Sequence, residues 1–152
     1  MGVDQLSISD TIGKAAPDEV AALMDMLLPK VPADRLAVHF HDTYGRGIAN
    51  VLKSVSLGIQ VVDASSGGLG GCPFSPGATG NVSTESVVSA LVKAGENTAV
   101  DIEQLKLANE MLLPYLPGRL TPAGPGPDWP ACLNCPFFDG RDCCGQSGNA
   151  DL

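Results

Sequence analysis

Positive charge is scarce in this chain. Nine Lys and Arg stand against 17 Asp and Glu in 152 residues, a formal charge of −8. No Lys/Arg cluster occurs, which argues against nucleic acid and anionic membrane surfaces as partners. An anionic small substrate would then need help from a metal or from groups outside the chain. No apolar run approaches the roughly 20 residues of a membrane span. The start, Met1-Gly2-Val3-Asp4-Gln5, shows neither a basic region followed by an apolar stretch nor an Arg/Ser-rich transit pattern, so secretion is not expected. Cysteine is rare outside the end of the chain: four of the five follow residue 130. An odd number so distributed does not make a disulfide framework for the whole fold, and a reducing compartment is the default.

What is present is 44% apolar, enough for one modest domain with a core. Residues 5–9 read as a short strand ended by Asp10-Thr11. A helix opens at Pro17-Asp18-Glu19, with proline in its first turn and two acids facing the positive dipole end. Its apolar stripe is Val20, Leu23, Met24, Leu27 and Leu28; Pro29 and Pro32 stop it. Leu36-Ala37-Val38 begins a second strand, and Ile48, Val51, Leu52 and Val55 mark a second helix ending near Gly58. Residues 59–63 form a third strand. A third helix, capped by Ser83 or Thr84, shows Val87, Val88, Leu91 and Val92. A fourth opens at Asp101, with Gln104 placed for a capping box, and runs to about Leu113. Alternating short strands and helices indicate βαβ units and a parallel sheet. In each unit the polar residues gather where the strand ends: Asp10-Thr11, His41-Asp42, Asp63-Ala64-Ser65. Parallel α/β folds place their sites at that edge. After Leu113 the composition shifts. Seven of the 12 prolines lie within residues 114–136, and apolar periodicity stops, so residues 114–152 read as a Pro/Gly/Cys-rich tail of disordered composition.

The chemistry concentrates in His39-Phe40-His41-Asp42-Thr43-Tyr44-Gly45. Two imidazoles at i and i+2 on a strand project from one face and can reach one metal ion without bending the backbone. Val38 and Phe40 would point the other way, into an apolar layer. A lone histidine is usually structural; a pair at this spacing, followed by an acid at the polar end of a strand, favours ligands. A second glycine-dense run at residues 67–81 holds Cys72, the one cysteine outside the tail. Glycine and proline supply bends rather than packing, so Cys72 is poorly explained as a buried core thiol. Asn81 follows Gly80 and by itself suits a turn. Asp10 and Asp63 end strands and serve equally well as helix N-terminal acceptors or as site residues. The run Gly67-Gly68-Leu69-Gly70-Gly71 matches neither a Walker motif nor a dinucleotide fingerprint. Cys132-x-x-Cys135 with Cys143-Cys144 offers four thiolates, but the adjacent second pair is poor for tetrahedral zinc, and a solvated tail is preferred.

Three stretches resemble the 3-hydroxy-3-methylglutaryl-CoA lyase family of metal-dependent TIM-barrel enzymes. Leu6-Ser7-Ile8-Ser9-Asp10-Thr11-Ile12-Gly13 looks like its sixth barrel strand. Ala37-Val38-His39-Phe40-His41-Asp42-Thr43-Tyr44-Gly45 with Ala49-Asn50 looks like the seventh. Val62-Asp63, Gly68-Leu69-Gly70-Gly71-Cys72-Pro73-Phe74 and Gly77-Ala78-Thr79-Gly80-Asn81 look like the eighth and its loop. The resemblance covers about residues 1–113. It implies an α/β fold, the last three βα units of a (β/α)8 barrel plus a C-terminal helix. It also implies His39, His41 and Asn81 as ligands of Mg²⁺ or Mn²⁺, Cys72 as catalytic, and Asp10 as an acid/base participant. Ser7 and Thr11 would lie near substrate. The family's further aspartate ligand, beside an arginine facing substrate, comes from its first strand, which has no counterpart here. The implied partner is a small-molecule acyl-CoA, and the implied reaction is retro-Claisen cleavage of 3-hydroxy-3-methylglutaryl-CoA to acetyl-CoA and acetoacetate.

A closed barrel takes eight strands and about 250 residues. The expectation is therefore a fragment or truncated form, inactive or nearly so alone. The rival readings are a non-catalytic module that pairs through open sheet edges with itself, as a homodimer, or with a full-length relative, and a related hydroxy-acyl-CoA lyase.

Overall fold

The computed structural model describes residues 2–70 and 80–115. Cys72 and the expected tail with its four cysteines lie outside the described residues.

Three strands, β1 (Leu6–Asp10), β2 (Leu36–Phe40) and β3 (Val61–Asp63), form one parallel sheet in the order β1-β2-β3. Helix α1 (Pro17–Leu27) links β1 to β2, and α2 (Gly47–Ser56) links β2 to β3. Helices α3 (Thr84–Lys93) and α4 (Ile102–Leu112) follow. The α/β architecture expected from the strand and helix periods is the one observed.

Local chemistry accounts for the helix ends. Proline stands at the first position of α1, and the Glu19 carboxylate accepts from the Ala16 N–H at 2.8 Å. Ser83 caps α3 by accepting from Ser86 N at 3.1 Å. The Asp101 carboxylate accepts from the N–H groups of Glu103 and Gln104 at 3.0 and 3.1 Å, so α4 opens where the sequence places it. Each satisfies donors the helix leaves unpaired.

The core lies between the sheet and α1, α2 and α3. Val38 and Phe40 of β2 meet Val20, Met24, Ile48 and Val51 there, with Ile59, Val82 and Val87. Central β2 is buried along its whole length apart from His39, whereas β1 and β3, at the edges, are half open. Three boundaries differ from the sequence reading. β1 starts and ends one residue later, because Asp10 still pairs in register with Phe40. β3 is only Val61–Asp63; Ile59 is buried but turns under the sheet, its N–H donating to Ser54 O at 3.2 Å. Leu23 and Val92, counted into buried stripes, are 41% and 59% exposed. Leu23 faces the outer side of edge strand β1, beside Ile8, where no further described element packs.

Met24 is fully buried and joins α1 to the sheet. Met24→Ala is expected to lower stability by about 2–5 kcal/mol, read as a shift in urea midpoint at constant m-value. A shift under about 1 kcal/mol would show that α1 is not packed on the sheet.

Candidate metal centre

Parallel register sets the first row of the site. Ser9 pairs with His39, and His39 with Asp63, so these three side chains share one sheet face, opposite the Val38 and Phe40 face. His39 Nδ1 lies 3.0 Å from Asp63 Oδ2, an ion-pair geometry if the ring is protonated and a hydrogen bond if it is not. The carboxylate fixes the ring through Nδ1, with Nε2 bonded to none of the described residues, the arrangement that commonly stands behind a metal-bound histidine. Sequence reasoning left Asp63 open between helix acceptor and site residue; the structure makes it the partner of His39. The signal was available: both residues lie within the last two positions of consecutive strands.

His41 stands just past β2. Its N–H donates to Asp10 O at 3.2 Å, and it forms an antiparallel bridge with Asn81. The two imidazoles come together edge to face, centroids 5.2 Å apart. His41 is only 7% exposed, and burial, reinforced by the neighbouring His39, holds its pKa below the ordinary 6.5. Asp10 and the Asn81 side chain oppose that shift without cancelling it. Its Nδ1 is buried and has no hydrogen-bond partner among the described residues.

Asn81 is brought to the pair by backbone stitching. Asp42 N donates to Gly80 O at 2.7 Å, and Val82 N to Phe40 O at 3.2 Å, which lays residues 80–82 along the end of β2. Asn81 Nδ2 donates to Leu69 O at 2.9 Å, which directs the other atom of the carboxamide, Oδ1, away from Leu69. Gly70, with φ of +116°, packs on this group: a Cβ there would stand 2.6 Å from Asn81 Nδ2.

Asp10 is engaged locally. Its two carboxylate oxygens accept from Gly13 N at 2.9 Å and Ala15 N at 2.7 Å, ordering the loop that leads into α1. Gly13 (φ +71°) lies so close to the next loop that a Cβ would be 2.9 Å from His41 O and Thr43 N. Asn50, fully buried on α2, donates to Ala15 O at 2.9 Å and braces the same loop. Neither Gly13 nor Asn50 was singled out as a site residue from sequence; both act on backbone, which no side-chain pattern reveals. Asp42 Oδ1 accepts from Gly47 N at the start of α2 at 2.7 Å, and burial raises its pKa despite that bond. Ser7 is exposed on the His39 face, two residues before Ser9, and Thr11 is exposed directly after β1.

These residues fit a divalent cation. His41 Nδ1 is buried with no partner among the described residues, His39 is backed by a carboxylate, and the third donor beside them is a carboxamide. Among the described residues no cluster of three or more His, Cys, Asp or Glu is arranged to hold a metal; Asn81 adds a carboxamide oxygen beside the two imidazoles. Mixed nitrogen and oxygen donors suit an octahedral ion better than closed zinc coordination.

Comparison with known proteins gives a consistent answer. The HMGL-like family model matches residues 1–112. The mitochondrial hydroxymethylglutaryl-CoA lyase of Arabidopsis thaliana is 47% identical over 116 residues, 76% of this chain and 25% of that protein. The hydroxymethylglutaryl-CoA lyase structure from Pseudomonas aeruginosa superposes with a TM-score of 0.76 at 40% identity, covering 80% of this chain and 41% of that one. The lyase structure from Acinetobacter baumannii, in complex with coenzyme A and 3-methylmalate, superposes at 0.66 with 34% identity, over 82% of this chain and 44% of that one. The chain thus spans between a quarter and less than half the length of these relatives. Their barrel accounts for an open three-stranded sheet here.

With its pKa held below 6.5, His41 takes up its proton at lower pH in the folded chain than in the unfolded chain. Stability of the metal-free chain is therefore full above pH 6.5 and falls as pH drops below it, by at most about 1.4 kcal/mol per pH unit. Chemical denaturation between pH 7 and about pH 5.5 checks this: the slope should shrink in His41→Gln, and the His41 ring resonance should titrate below 6.5.

Proposed function

The chain belongs to the HMGL-like family, and from that premise we propose that it supplies the metal-binding βα units of a lyase that cleaves 3-hydroxy-3-methylglutaryl-CoA to acetyl-CoA and acetoacetate. The observation that carries this reading is the meeting of His39, His41 and Asn81 at one rim of a parallel sheet. The coenzyme A held by the Acinetobacter baumannii relative supports an acyl-CoA as the partner.

The resident ion is Mg²⁺ or Mn²⁺. When bound, it supplies Lewis-acid polarisation of the substrate's tertiary hydroxyl and of a neighbouring carbonyl oxygen. Asp63 keeps the His39 ring oriented. Burial favours the neutral form of His41, the state in which its nitrogen lone pair is free to donate. Asn81 contributes a neutral oxygen and adds no negative charge to a site that must take an anionic substrate.

In the reaction a base takes the proton of the tertiary hydroxyl. Its oxygen becomes the ketone of acetoacetate as the adjoining carbon–carbon bond breaks, and the electron pair leaves on the enolate of acetyl-CoA. An acid then delivers a proton to that carbon. We assign this delivery to Cys72 and a share of the proton handling to Asp10, whose oxygens each keep a lone pair beyond the bonds to Gly13 and Ala15. Ser7, on the His39 face of the sheet, and Thr11, directly after β1, are assigned to substrate contacts.

Mn²⁺ titration of the purified chain tests the reading. His39→Ala, His41→Ala and Asn81→Ala should each weaken binding at least about tenfold; undiminished binding in all three overturns it. Acetoacetate release from 3-hydroxy-3-methylglutaryl-CoA should depend on the cation and stay far below that of a full-length relative. Equal turnover would show that three βα units suffice.

A further inference from the structure

The chemistry above makes no use of Glu85, although this acid is only 3% exposed. It sits in the first turn of α3, where the helix dipole favours negative charge. Both carboxylate oxygens lie 3.0 Å from the backbone nitrogen of Gly67, in the turn after β3. Oε1 also accepts from Asn109 Nδ2 on α4, and Asn109 Oδ1 accepts from Ser66 Oγ at 2.6 Å. The result is a closed ring, Ser66–Asn109–Glu85–Gly67, joining two helices to one turn.

That turn has one product of consequence, the placement of the Leu69 carbonyl. Gly67 and Gly68 adopt φ of +61° and +64°, and the Leu69 N–H donates to Ser66 O at 3.1 Å. Ser65 Oγ and Asn81 Nδ2 then both donate to Leu69 O, at 2.6 and 2.9 Å. A carboxamide binds a cation only through its oxygen. Its two flipped states have nearly the same shape, so hydrogen bonding decides which one is populated. Here the deciding acceptor is Leu69 O, held by the turn that Glu85 grips.

We infer that Ser66, Asn109 and Glu85 are positioning residues for Asn81: by fixing the Leu69 carbonyl they turn the carboxamide oxygen, not its nitrogen, toward the His39–His41 pair. The inference rests on the reading of Asn81 as a ligand and extends it to α4, an element with no residue at the rim. The ring acts at a distance, through backbone, and touches neither substrate nor ion.

Ser66→Ala and Asn109→Ala test it, since both residues are only half-buried and their loss leaves the core intact. The first readout is the side-chain amide resonance of Asn81 in the metal-free chain by NMR, which should move toward the value of a solvated carboxamide in each variant. The second is Mn²⁺ affinity, which should fall about three- to tenfold, the population change expected on losing one neutral hydrogen bond. Because both residues serve one ring, the double variant should lose no more than the worse single one. Glu85→Gln, which keeps the shape but turns one acceptor into a donor, should move the Asn81 amide in the same direction. Variants that lower the unfolding midpoint yet leave both the Asn81 amide and Mn²⁺ affinity at wild-type values would overturn the inference, leaving the ring merely structural. Wild-type Mn²⁺ affinity in Asn81→Ala would remove the ligand reading and this inference with it.

Discussion

The rim depends on the pairing register of β2 with β3. His39 opposite Asp63 is one rung of a three-rung ladder, Ala37 with Val61, Val38 with Val62, His39 with Asp63. Strand side chains alternate between faces, so a slip of one residue would send His39 into the apolar layer and bring Val38 out. The burial of Val38 and Phe40 among the helices forbids that slip. The hydrophobic core thus enforces the geometry of the polar edge, and the His39–Asp63 contact follows from it at little further cost.

The loops beyond the strand ends are held by a different means. Asp10 gathers the N–H groups of Gly13 and Ala15, Asn50 holds the Ala15 carbonyl, and Gly13 presses on the His41 carbonyl. On the other side the 65–69 turn and residues 80–84 are joined by Ser65 N to Val82 O and Thr84 N to Ser65 O. Buried backbone groups need partners, and here short polar side chains and glycines provide them. Such loops let an edge built from three separate units present donors that nearly touch.

The helices and strands were legible because their causes are local. Proline at the start of α1, the Ser83 and Asp101 caps and the apolar periods all act within a turn or two. The histidine pair was equally plain, since an i, i+2 spacing on a strand has one geometric meaning. Less legible were the lengths of the edge strands and the exposure of Leu23 and Val92, which depend on what lies beside them. For Asp10, spacing alone left helix acceptor and site residue equally open, and the observed bonds to Gly13 and Ala15 show that it orders its own loop. Asn81 read as a turn residue until family resemblance raised it, and only the bridge to His41 places it at the pair.

By itself the sequence determined the order of βα units, the face on which both imidazoles lie and the kinship with HMGL-like lyases. Those properties are set by side-chain type and near-neighbour spacing along the chain. Tertiary structure decided that Asp63 backs His39, that burial favours the neutral form of His41, and that Asn81 reaches across from a segment 40 residues away to meet it. These are contacts between residues far apart in sequence, and they exist only once the sheet is paired and the helices have closed over it.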